Sequence, residues 1–219
     1  MLTLLLIALL RKLRKKSIKN KFTVLLTACC FFSSISHAQS NELNYKVVQG
    51  GKEIGWIILK KNTSGQNTII SLVSEVKKRI IFLMSVNETM ECEFKNSQLI
   101  KSTCLRKING EVTVNKQLIF NGKSYEVIQE GKRKLLPFMP ISNNLLTIYF
   151  KEPANIGHVY SDNFQCILNI EKKVKGEYKI NLPDGNENYY YYTNGVCSRV
   201  KVNHPLYTFE FILTTKART

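Results

Sequence analysis

Two Asn-Gly pairs, Asn109-Gly110 and Asn121-Gly122, punctuate the stretch "LIKSTCLRKI-NG-EVTVNKQLIF-NG-KSYEVIQE". A two-residue type I′ turn needs positive φ at both central residues. Asn and Gly tolerate that, and the turn's twist matches the strands it joins. Each pair lies between runs rich in apolar and β-branched residues, so three consecutive antiparallel strands are expected here. In the middle one Val112, Val114, Leu118 and Phe120 share a face, interrupted by Lys116.

The same grammar extends outward. "LNYKVVQ" sets Leu43, Tyr45 and Val47 against Asn44 and Lys46, and "GGK" turns the chain into "EIGWIILKK", where Ile54, Trp56 and Ile58 share a face. A two-residue period marks half-buried strands. Further strands are expected at "TIISLVSEV", in the run to Phe94, and at "FQCILNIEKKV", "GEYKINLP", "NENYYYYT", "CSRVKVN" and "LYTFEFILTT". Between them "GKRKLLPFMPISNNLLTIYFKEPANIGHVYSD" breaks the rhythm, because Pro137, Pro140 and Pro153 exclude a long regular element. "SNNLLTIYF" can open a short helix. The expectation is an all-β chain: a single antiparallel meander of about ten to twelve strands, curved into a half-barrel or barrel. An irregular segment near 132–163, with a short helix, would cover the open side.

Ahead of Glu42 the pattern changes. Seven Lys or Arg and no acid lie between Arg11 and Lys21, followed by an apolar run from Phe22 to Ile35 and then Ser36-His37-Ala38. A basic region, a short apolar run and a small-x-small site form a secretory signal peptide. The run is shorter than the ~20 residues a membrane-spanning helix needs. Cleavage after Ala38 is favoured, which makes 1–38 a leader and 39–219 a single β-rich domain. The alternative is a lipobox, "LTAC", with Cys29 lipidated; against it, Cys30-Phe31-Phe32 continue the apolar run. A further apolar run, "MLTLLLIALL", opens the chain and is too short to span a bilayer.

The leader also explains part of the charge. The chain carries 32 basic and 16 acidic residues, and the leader accounts for seven of the former and none of the latter. The remainder therefore has 25 basic and 16 acidic residues, a net +9, spread singly except at Lys77 to Arg79 and Lys132 to Lys134. Nucleic-acid binders concentrate charge on one face beside stacking aromatics. The pattern points instead to solvated faces and some attraction to an anionic membrane surface, with no nucleic-acid partner.

"YKVVQGGKEIGWIILKK", "CLRKINGEVT", "LLTIYFKEP" and "LPDGNENYYYYTNGVCSRVKV" together resemble a group of secreted proteins of unknown function from Bacteroidetes. That group is similar to wider bacterial families of exported β-rich domains that share a "G-x-x-I/V-G" opening hairpin. The resemblance covers nearly all of 39–219. It implies an exported, half-barrel-like domain of a diderm bacterium and brings no functional residues with it.

Chemistry is thinly represented. Beyond the leader only His158 and His204 remain, and no Cys-x-x-Cys, His-Glu-x-x-His, G-x-S-x-G or phosphate-cradling loop occurs. No metal or cofactor is expected. Glu91 and Glu93 share a strand face, but alternation turns Met90, Cys92 and Phe94 inward and leaves both acids facing water. Gly50, Gly51 and Gly55 read as turn and close-packing glycines. Four cysteines remain, Cys92, Cys104, Cys166 and Cys197, and bridges and buried free thiols are both open. Alternation buries Cys166 and sets Cys197 on the face opposite Val200 and Val202.

The leading expectation is a non-enzymatic protein of the periplasm or outer membrane, or secreted, binding an apolar or amphiphilic ligand or an envelope partner on a curved sheet. Its candidate liners, chosen by alternation, are Trp56, Phe120, Tyr189, Tyr191 and Phe209. The domain is not expected to span a membrane. The alternatives are an interaction module whose concave side is filled core, and an envelope hydrolase.

Overall fold

The computed structural model describes residues 39–79, 83–136 and 140–218. The proposed leader, with Cys29 and Ala38, lies outside the described residues. Eight strands follow one another: β1 (Gln39–Gln49), β2 (Lys52–Ser64), β3 (Asn67–Arg79), β4 (Leu83–Lys95), β5 (Gln98–Ile108), β6 (Glu111–Phe120), β7 (Tyr125–Gln129) and β8 (Lys132–Leu136). A linking segment then carries the four-residue helix α1 (Thr147–Phe150) and a small hairpin of β9 (His158–Ser161) and β10 (Cys166–Asn169). Five strands complete the chain: β11 (Glu171–Lys172), β12 (Glu177–Asn181), β13 (Glu187–Thr193), β14 (Val196–His204) and β15 (Tyr207–Arg218).

Thirteen of these strands form one antiparallel sheet in the order β11-β12-β13-β14-β15-β1-β2-β3-β4-β5-β6-β7-β8. The all-β meander expected from the sequence is therefore present, with β1 and β15 paired in the middle. The sheet stays open, and its edges are β8 and β11. The segment that links those edges runs across the concave face. Lys132 to Leu136, expected to be irregular, forms edge strand β8 instead, because Glu130 and Gly131 take positive φ and fold it back onto β7.

Buried tyrosines tie the linking segment to the sheet. The Tyr125 hydroxyl donates to the Leu99 carbonyl at 2.8 Å and accepts from the Ile141 amide at 3.0 Å. The Tyr192 hydroxyl donates to the Ile148 carbonyl at 2.8 Å, while within the sheet itself the Tyr45 hydroxyl donates to the Cys197 carbonyl at 2.6 Å. Tyr149 of α1 meets Tyr45 and Tyr190 edge-on, with ring centroids 5.5 and 6.1 Å away. Such pairs combine large apolar burial with satisfied polar tips, so the segment is held by both packing and hydrogen bonds.

Local chemistry accounts for the turns. Asn109 and Gly110 take φ of 52° and 89°, as a I′ hairpin requires. Asn121-Gly122 joins two strands as expected but not by a two-residue turn. Asn121 Oδ1 accepts from the Lys123 and Ser124 amides, which spreads the connection over four residues. Gly55 serves a different purpose: a Cβ there would run into the Glu75 carbonyl oxygen and lie 2.8 Å from Val76 Cα. The neighbouring strand can approach this closely only because the position is bare.

Bulges change which residues face inward. Val47 pairs with Gly55 while Val48 pairs with Glu53, so Ile54 is an extra residue. Gly55, Ile57 and Leu59 then take the concave positions, and Trp56 points outward at 38% exposure. A second bulge inserts Thr113 between the partners of Arg106 and Lys107, which leaves Val112 55% exposed while Lys116 turns inward to the Asn163 carbonyl. A third inserts Ser198 opposite Tyr191 and Tyr192. It puts Cys197 on the buried face with Val200 and Val202, contrary to strict alternation.

Candidate functional site

The linking segment fills one end of the half-barrel and leaves the other end hollow. At the filled end Leu43, Leu59, Ile70, Phe94, Leu99 and Tyr125 are buried. At the other lies a cavity of about 470 Å³ whose walls include Val76, Val86, Ile108, Val202, Phe209 and Phe211. Its floor is the linking segment: Leu145, Leu146, Tyr149 and Phe164. Small-molecule sites commonly measure ~300–1,000 Å³ with mostly apolar walls and a few placed polar groups. Both criteria are met here.

The polar groups sit together. Glu88 on β4 and Arg106 on β5 are register partners, and Arg106 Nη2 donates to Glu88 Oε1 at 2.7 Å. Burial disfavours the guanidinium charge, yet the adjacent Glu88 outweighs it and holds the Arg106 pKa above its ordinary value. In the β12–β13 loop the Asp184 carboxylate accepts from Asn186, from its amide at 3.1 Å and its Nδ2 at 2.8 Å. Asn188, 8% exposed, lines the cavity from β13, and its Nδ2 donates only a long 3.5 Å bond to the Tyr190 hydroxyl. Asn186 Oδ1 and Asn188 Oδ1 are buried and have no hydrogen-bond partner.

Asp162 forms the inner polar contact between the linking segment and the sheet. It is 4% exposed, and its Oδ2 accepts from Asn144 Nδ2 at 2.8 Å while Cys92 Sγ lies 3.8 Å from Oδ1. Burial pushes its carboxyl up to about 6, opposed by hydrogen bonds from Ser102, Asn144 and Cys92. Burial, with Asp162 beside it, raises the Cys92 thiol well above its usual range. A buried thiol of this kind is a packing group and not a nucleophile. All four described cysteines are free. Cys92 lies opposite Ser102 and Met90 opposite Cys104, so the two thiols are offset by two residues along the β4–β5 pair.

Of the five proposed liners, Phe209 alone borders the cavity. Trp56 stands on the outer face for the reason given above. Phe120 packs at the end of β6 against Tyr125, ring centroids 5.1 Å apart. Tyr189 and Tyr191 also face outward: Arg199 lies 4.1 Å above the Tyr191 ring, and the Tyr189 hydroxyl donates to Glu187. Tyr190 and Tyr192 are the inward pair. Alternation separates the two pairs but does not say which face is concave; the register with Val200 and Val202 decides that. Among the polar liners, Glu88 and Arg106 were within reach of the sequence. Glu88 shares parity with Met90 and Cys92, and Arg106 with Ser102 and Cys104. Asp162 carried no periodic signal.

Glu91 and Glu93 face away from the cavity, as alternation implies. Among the described residues no three His, Cys, Asp or Glu side chains are grouped as metal ligands, and no helix is long and apolar enough to cross a membrane. The second observation does not bear on strands.

An open antiparallel half-barrel, stoppered at one end by its own linking segment and hollow at the other, defines a β-barrel-like protein with an internal pocket. Residues 45–214 match the model of a domain of unknown function, DUF6134, and the chain belongs to that family. The fold is similar to the crystal structure of a beta-barrel-like protein of domain of unknown function DUF1849 from Brucella abortus. The TM-score is 0.52 and the identity 11%, over 82% of this chain and 97% of that one. No curated protein sequence matches the chain.

Proposed function

We propose that this protein is an exported, non-enzymatic component of a diderm bacterial cell envelope that holds an apolar or amphiphilic ligand inside its half-barrel. The observation that carries the reading is the cavity: a mostly apolar hollow of about 470 Å³ beside a charged pair. A hollow with no guest forfeits the dispersion contacts its walls would otherwise make. The export part rests on the leader pattern before Gln39, where β1 begins. Membrane-surface association rests on the excess of basic residues over 39–219.

Organic extraction and mass spectrometry of the natively purified protein test the ligand reading, together with titration of a fluorescent apolar probe such as N-phenylnaphthylamine. The expected result is a co-purifying amphiphile or saturable probe binding, abolished by Val86→Trp, which fills the cavity. A folded protein that carries nothing, and a probe that does not saturate, would leave the filled interaction module as the better reading.

A further inference from the structure

The cavity has a chemical polarity that restricts its occupant. We infer that it takes an amphiphile whose head donates hydrogen bonds and is neutral or cationic, a hydroxyl or ammonium compound, in preference to a carboxylate. This deepens the reading of the cavity as a ligand site and rests on it.

Two observations converge. First, the polar pole holds two acceptors that no protein donor satisfies. Asn186 Nδ2 is committed to Asp184 Oδ2 at 2.8 Å, which pins the amide and leaves Oδ1 as the free atom. That oxygen is buried and unpartnered, and so is Oδ1 of Asn188, a residue 8% exposed that lines the cavity. A buried carbonyl left unsatisfied costs about 1–3 kcal/mol, which a ligand O–H or N–H would recover. Second, the charges lining the cavity are unbalanced. Glu88, Asp162 and Asp184 supply three carboxyl groups against the single guanidinium of Arg106, which is already bonded to Glu88 at 2.7 Å. A carboxylate head would meet acceptors and like charge, whereas a hydroxyl meets acceptors it can satisfy and an ammonium meets both.

The apolar wall of Val76, Val86, Phe209 and Phe211 then takes the chain of the amphiphile. Asn186 and Asn188 act as specificity-determining residues for its head.

Calorimetric titration of the purified protein with dodecanol, dodecylammonium and laurate, each below its aggregation concentration, tests this. The chain length is constant, so the head alone varies. The expected result is that dodecanol and dodecylammonium bind at least about tenfold more tightly than laurate, one hydrogen bond's worth. The Asn188→Leu variant should lose that margin without weakening laurate, and Asn186→Ala, in an exposed loop, should reduce it if Asn188→Leu fails to fold. Hydroxyl against ammonium preference then shows which head class the site takes. Laurate binding as tightly as the other two, or a margin unaffected by both variants, overturns the inference while leaving the cavity a ligand site. Binding of none of the three overturns both.

Discussion

Arg106 and Glu88 face each other directly across β4 and β5, with Nη2 2.7 Å from Oε1, on the concave side of the sheet. Their side chains are 30% and 19% exposed, intermediate between a surface pair and a buried one. Removing one partner from a buried pair costs several kcal/mol because the other charge is stranded, while an exposed pair contributes little. Arg106→Leu should therefore lower stability by about 2 kcal/mol in urea unfolding. The double variant Glu88→Leu/Arg106→Leu should recover most of that loss, because the site then becomes apolar throughout. A double variant no more stable than the single would show that the pair itself holds the strands together.

The contact between β2 and β3 depends on a missing side chain. Gly55→Ala places a methyl group against the Glu75 carbonyl and Val76 backbone, neither of which can swing aside. A loss of about 3 kcal/mol is expected, at the upper end of overpacking costs. Gly65→Ala, at φ +57° with open space around it, should cost only about 1 kcal/mol. Equal thermal shifts for the two variants would contradict this account.

Asp162 makes stability depend on pH in an unusual direction. Burial lifts its folded pKa to about 6 from 3.8, so between roughly pH 4 and 6 the folded state binds more protons than the unfolded chain. Stability then falls as pH rises through that window. This group's contribution changes by about 3 kcal/mol across it, with the folded state favoured at the acid end. Asp162→Asn should remove that component from the unfolding profile measured between pH 4 and 7. A wild-type profile matching that of Asp162→Asn would show that the carboxyl titrates normally.

The tyrosine tetrad offers a test of register. Tyr190→Ala opens a hole beside Tyr149 in the core and should cost about 3–5 kcal/mol, as for other large aromatic truncations. Tyr189→Ala, on the outer face, should change stability by less than about 1 kcal/mol. The reverse ordering would mean that β13 pairs one residue out of step.

Much of the fold was legible along the chain because strands and turns are local devices. Asn109-Gly110 carries its turn in two residues, and Met90, Cys92 and Phe94 show their inward face by spacing alone. The prolines of the linking segment announced an interruption at nearly the right place. The cavity was far less legible. Alternation points to Trp56, yet a single bulge residue such as Ile54 reverses the phase of everything beyond it, and for Tyr189 and Tyr191 alternation does not say which face is concave. Bulges depend on the partner strand, and nothing in one strand's own pattern marks them.

The sequence by itself determined that this chain makes hairpins, where most of them turn, and that a proline-bearing stretch would lie outside the sheet. These follow from backbone sterics and side-chain period, which act over a few residues. Only the tertiary structure decided that β15 joins β1 and that the linking segment stoppers one end and leaves the other hollow. It alone set Asn188, Asp184, Glu88 and Arg106 around one space, because those placements depend on which distant strands pair and in what register. That choice is made by the summed burial of the whole concave face, which no local stretch encodes.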